Sequence, residues 1–141
     1  MEERFQFCTF MLEKFLFGVE AHKVQEICLY QEMTRVPLAP PDISGLLNLR
    51  GQIITAIELR CKLGFDPRPD KQKPMNIVLR ASSGAVSLLV DEIGDVIEVE
   101  DRYFEPPPET LDAELREIVV GVYKLEKHQL MHVIDIEKVA N

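Results

Sequence analysis

A chain of 141 residues, 46% hydrophobic and 28% charged, buries enough surface to fold without disulfide or metal staples, and its composition excludes intrinsic disorder. Sixteen Lys and Arg against 24 Asp and Glu leave a net charge of −8. That balance argues against nonspecific nucleic-acid binding and against an anionic membrane surface, because both need surplus cations to meet phosphate.

One domain over residues 1–141 is the expectation from length. The start, Met1-Glu2-Glu3-Arg4-Phe5, is acidic and lacks the basic and apolar regions of a secretory signal. Residues 4–12 are apolar on both faces, as a strand buried on two sides is, and 15–19 form a second run after the corner Glu13-Lys14. Residues 21–25 predict a helical turn and 26–30 a strand. The stretch 34–41 holds three prolines and predicts an extended loop. Residues 43–47 predict a short turn of helix, 52–57 a strand, and 58–63 a short helix stopped by Gly64. Residues 65–74, with three more prolines, predict a surface loop.

The next part carries the clearest β pattern. Residues 75–81 and 85–90 flank the turn Ser82-Ser83-Gly84 as a hairpin, and 93–99 follow as a strand. A triple proline closes 104–108, and 112–117 predict a helical turn. Residues 119–125 and 129–135 form a last hairpin, with a terminal helical turn over 136–140. Nine strands and no long helix mean an all-β fold with few short helices. The residues allow one barrel, a sandwich, or two smaller barrels sharing a core; the Pro-rich loops at 36–41 and 66–74 fit crossings between two units.

Catalytic chemistry is not visible. None of the four serines lies in a GxSxG elbow, and Cys8, Cys28 and Cys61 sit in apolar runs without a CxxC pair. They fit reduced thiols in a cytoplasmic protein. No run approaches the ~20 apolar residues that span a bilayer, so no membrane insertion is expected. His128 and His132 flank a strand, which separates them by roughly 13 Å, too far for one metal ion. No glycine-rich loop after a strand cradles phosphate, and no cofactor is expected. Charge is polarised: residues 91–117 hold 11 acidic and 2 basic side chains, whereas 60–80 hold 6 basic and 2 acidic. Such a map fits a domain whose ends steer different partners.

One segment stands out. Gly45-Leu46-Leu47-Asn48-Leu49-Arg50-Gly51 places an arginine between leucines and a glycine, just before a strand. Gly51 permits positive φ and Gly45 permits close approach, so a fixed turn is expected. An arginine anchored there requires a carboxylate or carbonyls to hold it.

Here the sequence resembles the CheW family of chemotaxis coupling proteins. The resemblance is carried by Thr34-Arg35-Val36-Pro37, by Ile43-Ser44-Gly45-Leu46-Leu47-Asn48-Leu49-Arg50-Gly51-Gln52-Ile53-Ile54, and by Ile57-Glu58-Leu59-Arg60. Val24-Gln25-Glu26-Ile27 and Val90-Asp91-Glu92-Ile93 extend it over nearly the whole chain. Thr55 and Glu58 stand where many members have proline and aspartate. The resemblance implies two intertwined five-stranded β-barrels around a shared apolar core. It further implies a non-catalytic cytoplasmic adaptor that links chemoreceptor tips, in arrays at the inner membrane, to a CheA-type histidine kinase through the kinase's regulatory domain. A coupler of another pathway, such as twitching motility, is the alternative within the family; an oligonucleotide-binding barrel is the alternative outside it.

By resemblance, the groove between the barrels receives the receptor hairpin. Val24, Ile27, Leu46, Leu49 and Val90 are its apolar candidates, with Val24 and Gly45 matching positions implicated in coupling. Arg50, in the Asn48-Leu49-Arg50-Gly51 turn, is expected to pair with Glu26 beside them. No catalytic or metal-binding residue is assigned.

Overall fold

The computed structural model describes residues 4–69 and 71–140. Alternating and continuous apolar runs build eleven strands among the described residues: β1 (Arg4–Leu12), β2 (Phe15–Glu20), β3 (Val24–Cys28), β4 (Ile43–Leu49), β5 (Gln52–Glu58), β6 (Met75–Ala81), β7 (Gly84–Val90), β8 (Glu92–Glu100), β9 (Phe104–Glu105), β10 (Val119–Lys124) and β11 (Leu130–Ile134). Three short helices interrupt them: α1 (Leu59–Lys62), α2 (Ala113–Ile118) and α3 (Ile136–Ala140). None is long and apolar enough to cross a membrane.

The strands form two sheets. The first runs β8-β1-β2-β11-β10-β9 and the second β3-β6-β7-β5-β4. Only β2–β11 and β5–β7 pair in parallel among the described strands. The chain therefore starts in the first sheet, builds the second, and returns to complete the first. This agrees with the expected all-β fold of two interleaved units, with the two-residue β9 as an extra strand.

Period-2 geometry explains why so many strands are apolar throughout. In β6, Ile77 and Leu79 point into a core shared by both sheets, whereas Val78 points to the other side, where Leu47, Ile54 and Leu89 pack. Phe10 and Phe17 of the first sheet enter the shared core stacked at 5.5 Å, both with no exposed surface. Burial of each large side chain contributes roughly 1.5–3 kcal/mol. On the far side of the first sheet, Phe7, Tyr123, Met131 and Val133 form a smaller cluster.

Two local expectations are corrected. Residues 43–47 are part of strand β4, not a turn of helix, because they pair with β5, with Leu47 opposite Ile54. A register shift between Ile43 and Gly45 breaks the alternation at the point where the sequence alone was hardest to read. The helical turn over 21–25 shrinks to a 3₁₀ turn, Ala21–Lys23, and the strand expected from residue 26 already begins at Val24. β9 escapes the sequence pattern because two residues carry no periodicity.

Candidate functional site

The turn between β4 and β5 is two residues long, Arg50-Gly51, with φ of 51° and 84°. Both values are positive, as a type I′ hairpin turn requires. Asn48 secures it, its Oδ1 accepting the Gly51 N–H at 3.2 Å. From this turn the Arg50 guanidinium reaches Glu26 on β3, Nη1 to Oε2 at 3.0 Å. Beside it, Gln25 Nε2 donates to Gln52 Oε1 at 3.4 Å. Two side-chain bridges thus tie the outermost strand β3 to the β4–β5 turn at the opposite edge of the second sheet.

Exposed apolar side chains neighbour these bridges along the chain. Ile27 follows Glu26 and is 41% exposed; Ile53 follows Gln52 and is 59% exposed; Leu29, just beyond β3, is 72% exposed. Ile53 and Leu29 were not among the expected site residues. The signal for Ile53 was the apolar doublet Ile53-Ile54, of which only Ile54 points into the sheet's interior.

The other expected residues lie deeper. Val24 is half-buried against the shared core. Leu46 is half-covered by the strap at Thr34, whose N–H donates to Leu46 O at 2.9 Å and whose O accepts the Leu46 N–H at 2.8 Å. Gly45 is buried under the same strap: an added Cβ would lie 2.7 Å from Thr34 O. Its lack of a side chain is a packing requirement. Leu49 is 8% exposed and Val90 is wholly buried in the shared core. Val90 therefore belongs to the interior and lines no surface groove, and Leu49 contributes little surface. Of the expected residues, the structure joins Glu26 to Arg50, with Ile27 and Gly51 as their exposed chain neighbours.

The Arg50–Glu26 bridge has an exposed cation, 81% on the arginine side chain, and a more covered anion, 21% on the glutamate. Solvent on the arginine limits its contribution to about 1 kcal/mol or less. A double-mutant cycle on Arg50→Ala and Glu26→Ala in urea unfolding is expected to give a coupling in that range. A coupling of several kcal/mol would show that the pair is not solvent-screened.

A second charged group, which the sequence pattern did not single out, is buried. Arg60 of α1 grips Asp91 with Nε to Oδ1 at 2.9 Å and Nη2 to Oδ2 at 2.6 Å. Arg68 adds Nε to Asp91 Oδ1 at 2.9 Å and takes Glu58 in a fork at 2.7 and 3.1 Å. Burial pushes the Asp91 carboxyl up, but the hydrogen bonds from Arg60, the Glu13 N–H and Arg68, with the Arg60 charge, outweigh it and hold the group below its ordinary value. Two of the cations counted in the basic 60–80 stretch are therefore internal. Lys62 pairs with Asp42 at 3.4 Å and Lys73 lies over the Tyr30 ring. Asp91 apart, most carboxylates of the 91–117 stretch are exposed, so the charge asymmetry is mainly an acidic face.

Comparison with known proteins places this geometry. A family model for the CheW-like domain matches residues 6–141. The chain is 32% identical to the chemotaxis protein CheW of Klebsiella aerogenes, covering 94% of this chain and 80% of that protein. Against the chemotaxis protein CheW of Treponema pallidum it is 27% identical, covering 99% and 89%. Among solved structures, the crystal structure of the scaffolding protein TtCheW from Thermoanaerobacter tengcongensis superposes with a TM-score of 0.85 at 27% identity, covering 96% of this chain and 91% of that one. With two sheets around one core, the Arg50-Gly51 turn in place and a match from residue 6 to residue 141, the chain belongs to the CheW-like domain family.

Proposed function

We propose that this protein is a non-catalytic chemotaxis adaptor that couples the cytoplasmic tips of chemoreceptors to the regulatory domain of a CheA-type histidine kinase, in the cytoplasm beneath receptor arrays. Family membership and the likeness to a scaffolding protein support an adaptor role. The observation that carries the binding surface is the exposure of Ile27, Leu29 and Ile53, on or just beyond the two strands, β3 and β5, that the Gln25–Gln52 bridge joins. An apolar centre with a polar rim is what a helical hairpin needs from its receiving surface. In this reading the receptor tip docks there, with Ile53 as its central anchor.

Co-sedimentation of this protein with receptor cytoplasmic fragments and kinase tests the reading. Kinase recruitment and activity are expected to depend on the protein. Ile53→Asp is expected to weaken receptor association about tenfold, close to 1.4 kcal/mol, with the urea midpoint unchanged because the side chain is largely exposed. Kinase recruitment that ignores the protein, or an Ile53→Asp variant that sediments like the parent, would refute it. The protein is also expected to accept no phosphate from autophosphorylated kinase; a phosphorylated product would exclude the purely scaffolding role.

A further inference from the structure

Asp91 occupies the one residue between β7 and β8, where the chain leaves the second sheet and enters the first. Its backbone N–H donates to Met11 O at 3.1 Å, and its Oδ2 accepts the Glu13 N–H at 2.8 Å. These bonds fasten it to the β1–β2 corner of the first sheet. The same carboxylate is gripped by Arg60 on α1, directly after β5, and by Arg68, which also forks onto Glu58 at the end of β5. Arg60 adds a bond from Nη1 to Asp66 O at 2.9 Å. One carboxylate therefore collects the corner of one sheet and two arginines of the other.

The side chains of Arg60, Arg68 and Asp91 are 8%, 6% and 7% exposed. Burying three charges gives little net stability compared with apolar residues of the same volume. It supplies direction instead, since a guanidinium fork on a carboxylate fixes angles that apolar contacts leave soft. The exposed Ile27 and Ile53 belong to the second sheet, so a partner docked there is held at whatever angle the cluster sets relative to the first.

We propose that Asp91 is a positioning residue: with Arg60, Arg68 and the Glu13 amide it fixes the angle between the two sheets, and thereby where a partner docked on the second sheet stands relative to one held by the first. The placement of partners rests on the coupling reading above; the sheet angle does not.

Residual dipolar couplings of the full chain read the angle without any partner. In the parent, amides of both sheets are expected to fit one alignment frame. The triple variant Arg60→Met, Arg68→Met, Asp91→Leu exchanges the cluster for apolar side chains, an exchange expected to keep the fold while removing the directional bonds. Each sheet of this variant is expected to keep its own internal fit but to lose the common frame. It is expected to bind receptor fragment and kinase regulatory domain singly within about twofold of the parent, yet to lose about tenfold or more in three-component assembly. Should the triple variant not fold, the double variant Arg60→Met, Asp91→Leu, which removes the fork and leaves Arg68 paired with Glu58, is measured for the same loss of the common frame. A common frame retained in the variant that folds overturns the proposal. A lost frame with intact three-component assembly overturns the positioning of partners. A parent that binds neither partner overturns the coupling reading and leaves the sheet-angle result standing.

Discussion

Asp91→Asn is expected to destabilise the protein by about 3–5 kcal/mol, the cost of breaking a buried ion pair and leaving its cation uncompensated. For a chain of this size that is roughly 10 °C or more in melting temperature. Asn keeps the shape and can still accept the Glu13 N–H, but Arg60 and Arg68 are left buried with Glu58 as their remaining close carboxylate partner apart from the longer Glu13 contact at 3.6 Å. The pH dependence has a defined sign. The folded-state pKa of Asp91 lies below its ordinary 3.8, so its contribution is complete above the unfolded-state value and is lost as pH falls through the folded-state one. The stability gap between parent and Asp91→Asn should therefore be full at neutral pH and shrink in acid below about pH 4. Urea unfolding of both proteins from neutral to strongly acidic pH checks this. A gap that stays constant into acid, or one below about 1 kcal/mol, would show that Asp91 is not a buried, paired anion.

Gly121→Val is expected to cost about 3 kcal/mol, the upper end for overpacking. Gly121 lies on β10 directly beneath β9, and a Cβ there would overlap the Phe104 ring and come 2.7 Å from Glu105 O. The ring can swing outward, since Phe104 is 39% exposed, but the Glu105 carbonyl belongs to backbone paired with Val122. β9 must then leave the sheet, and Tyr123, now 2% exposed with Phe104 5.2 Å away, loses its cover. Hydrogen exchange should speed up at residues 104–105 and 122–123 while the second sheet keeps its protection. Exchange unchanged at those residues would mean that β10 accommodates the side chain without releasing β9.

Long strands with strong patterning were legible in the sequence: β1, β6, β7, β10 and β11 fall within a residue or two of their expected bounds. β4 was not, because Ser44 and Gly45 interrupt its alternation and its strand character comes from pairing with β5, 52–58. The same limit applies to the site. Arg50 and Glu26 were recognisable from the resemblance, and their 3.0 Å contact follows from a hairpin turn that brings residue 50 over β3. Ile53 and Leu29 were not recognisable as surface, because a strand's inward and outward apolar residues look alike until its register is known. Val90 was misplaced for the same reason. The Asp91 cluster joins residues 13, 58, 60, 68 and 91 across four segments, and no local spacing announces that convergence.

The route of the chain through its two sheets also sets an order in which they mature. The second sheet is drawn from one continuous stretch, 24–90, whereas the first needs β2 to lie beside β11, with Leu16 opposite Met131. During synthesis the second sheet can close as soon as residue 90 is free, while the β1–β2 hairpin waits for the roughly 45 residues that carry β8, β10 and β11. At about 5–20 residues per second the wait is roughly 2–9 s, and throughout it Phe10 and Phe17 lack part of the cover they have in the finished protein. Closing a contact of such long range late leaves the hairpin's apolar side chains partly open through that interval. Pulse proteolysis of nascent chains should find 43–90 protected while 4–20 is still cleaved; simultaneous protection of both would mean that the two sheets form as one unit.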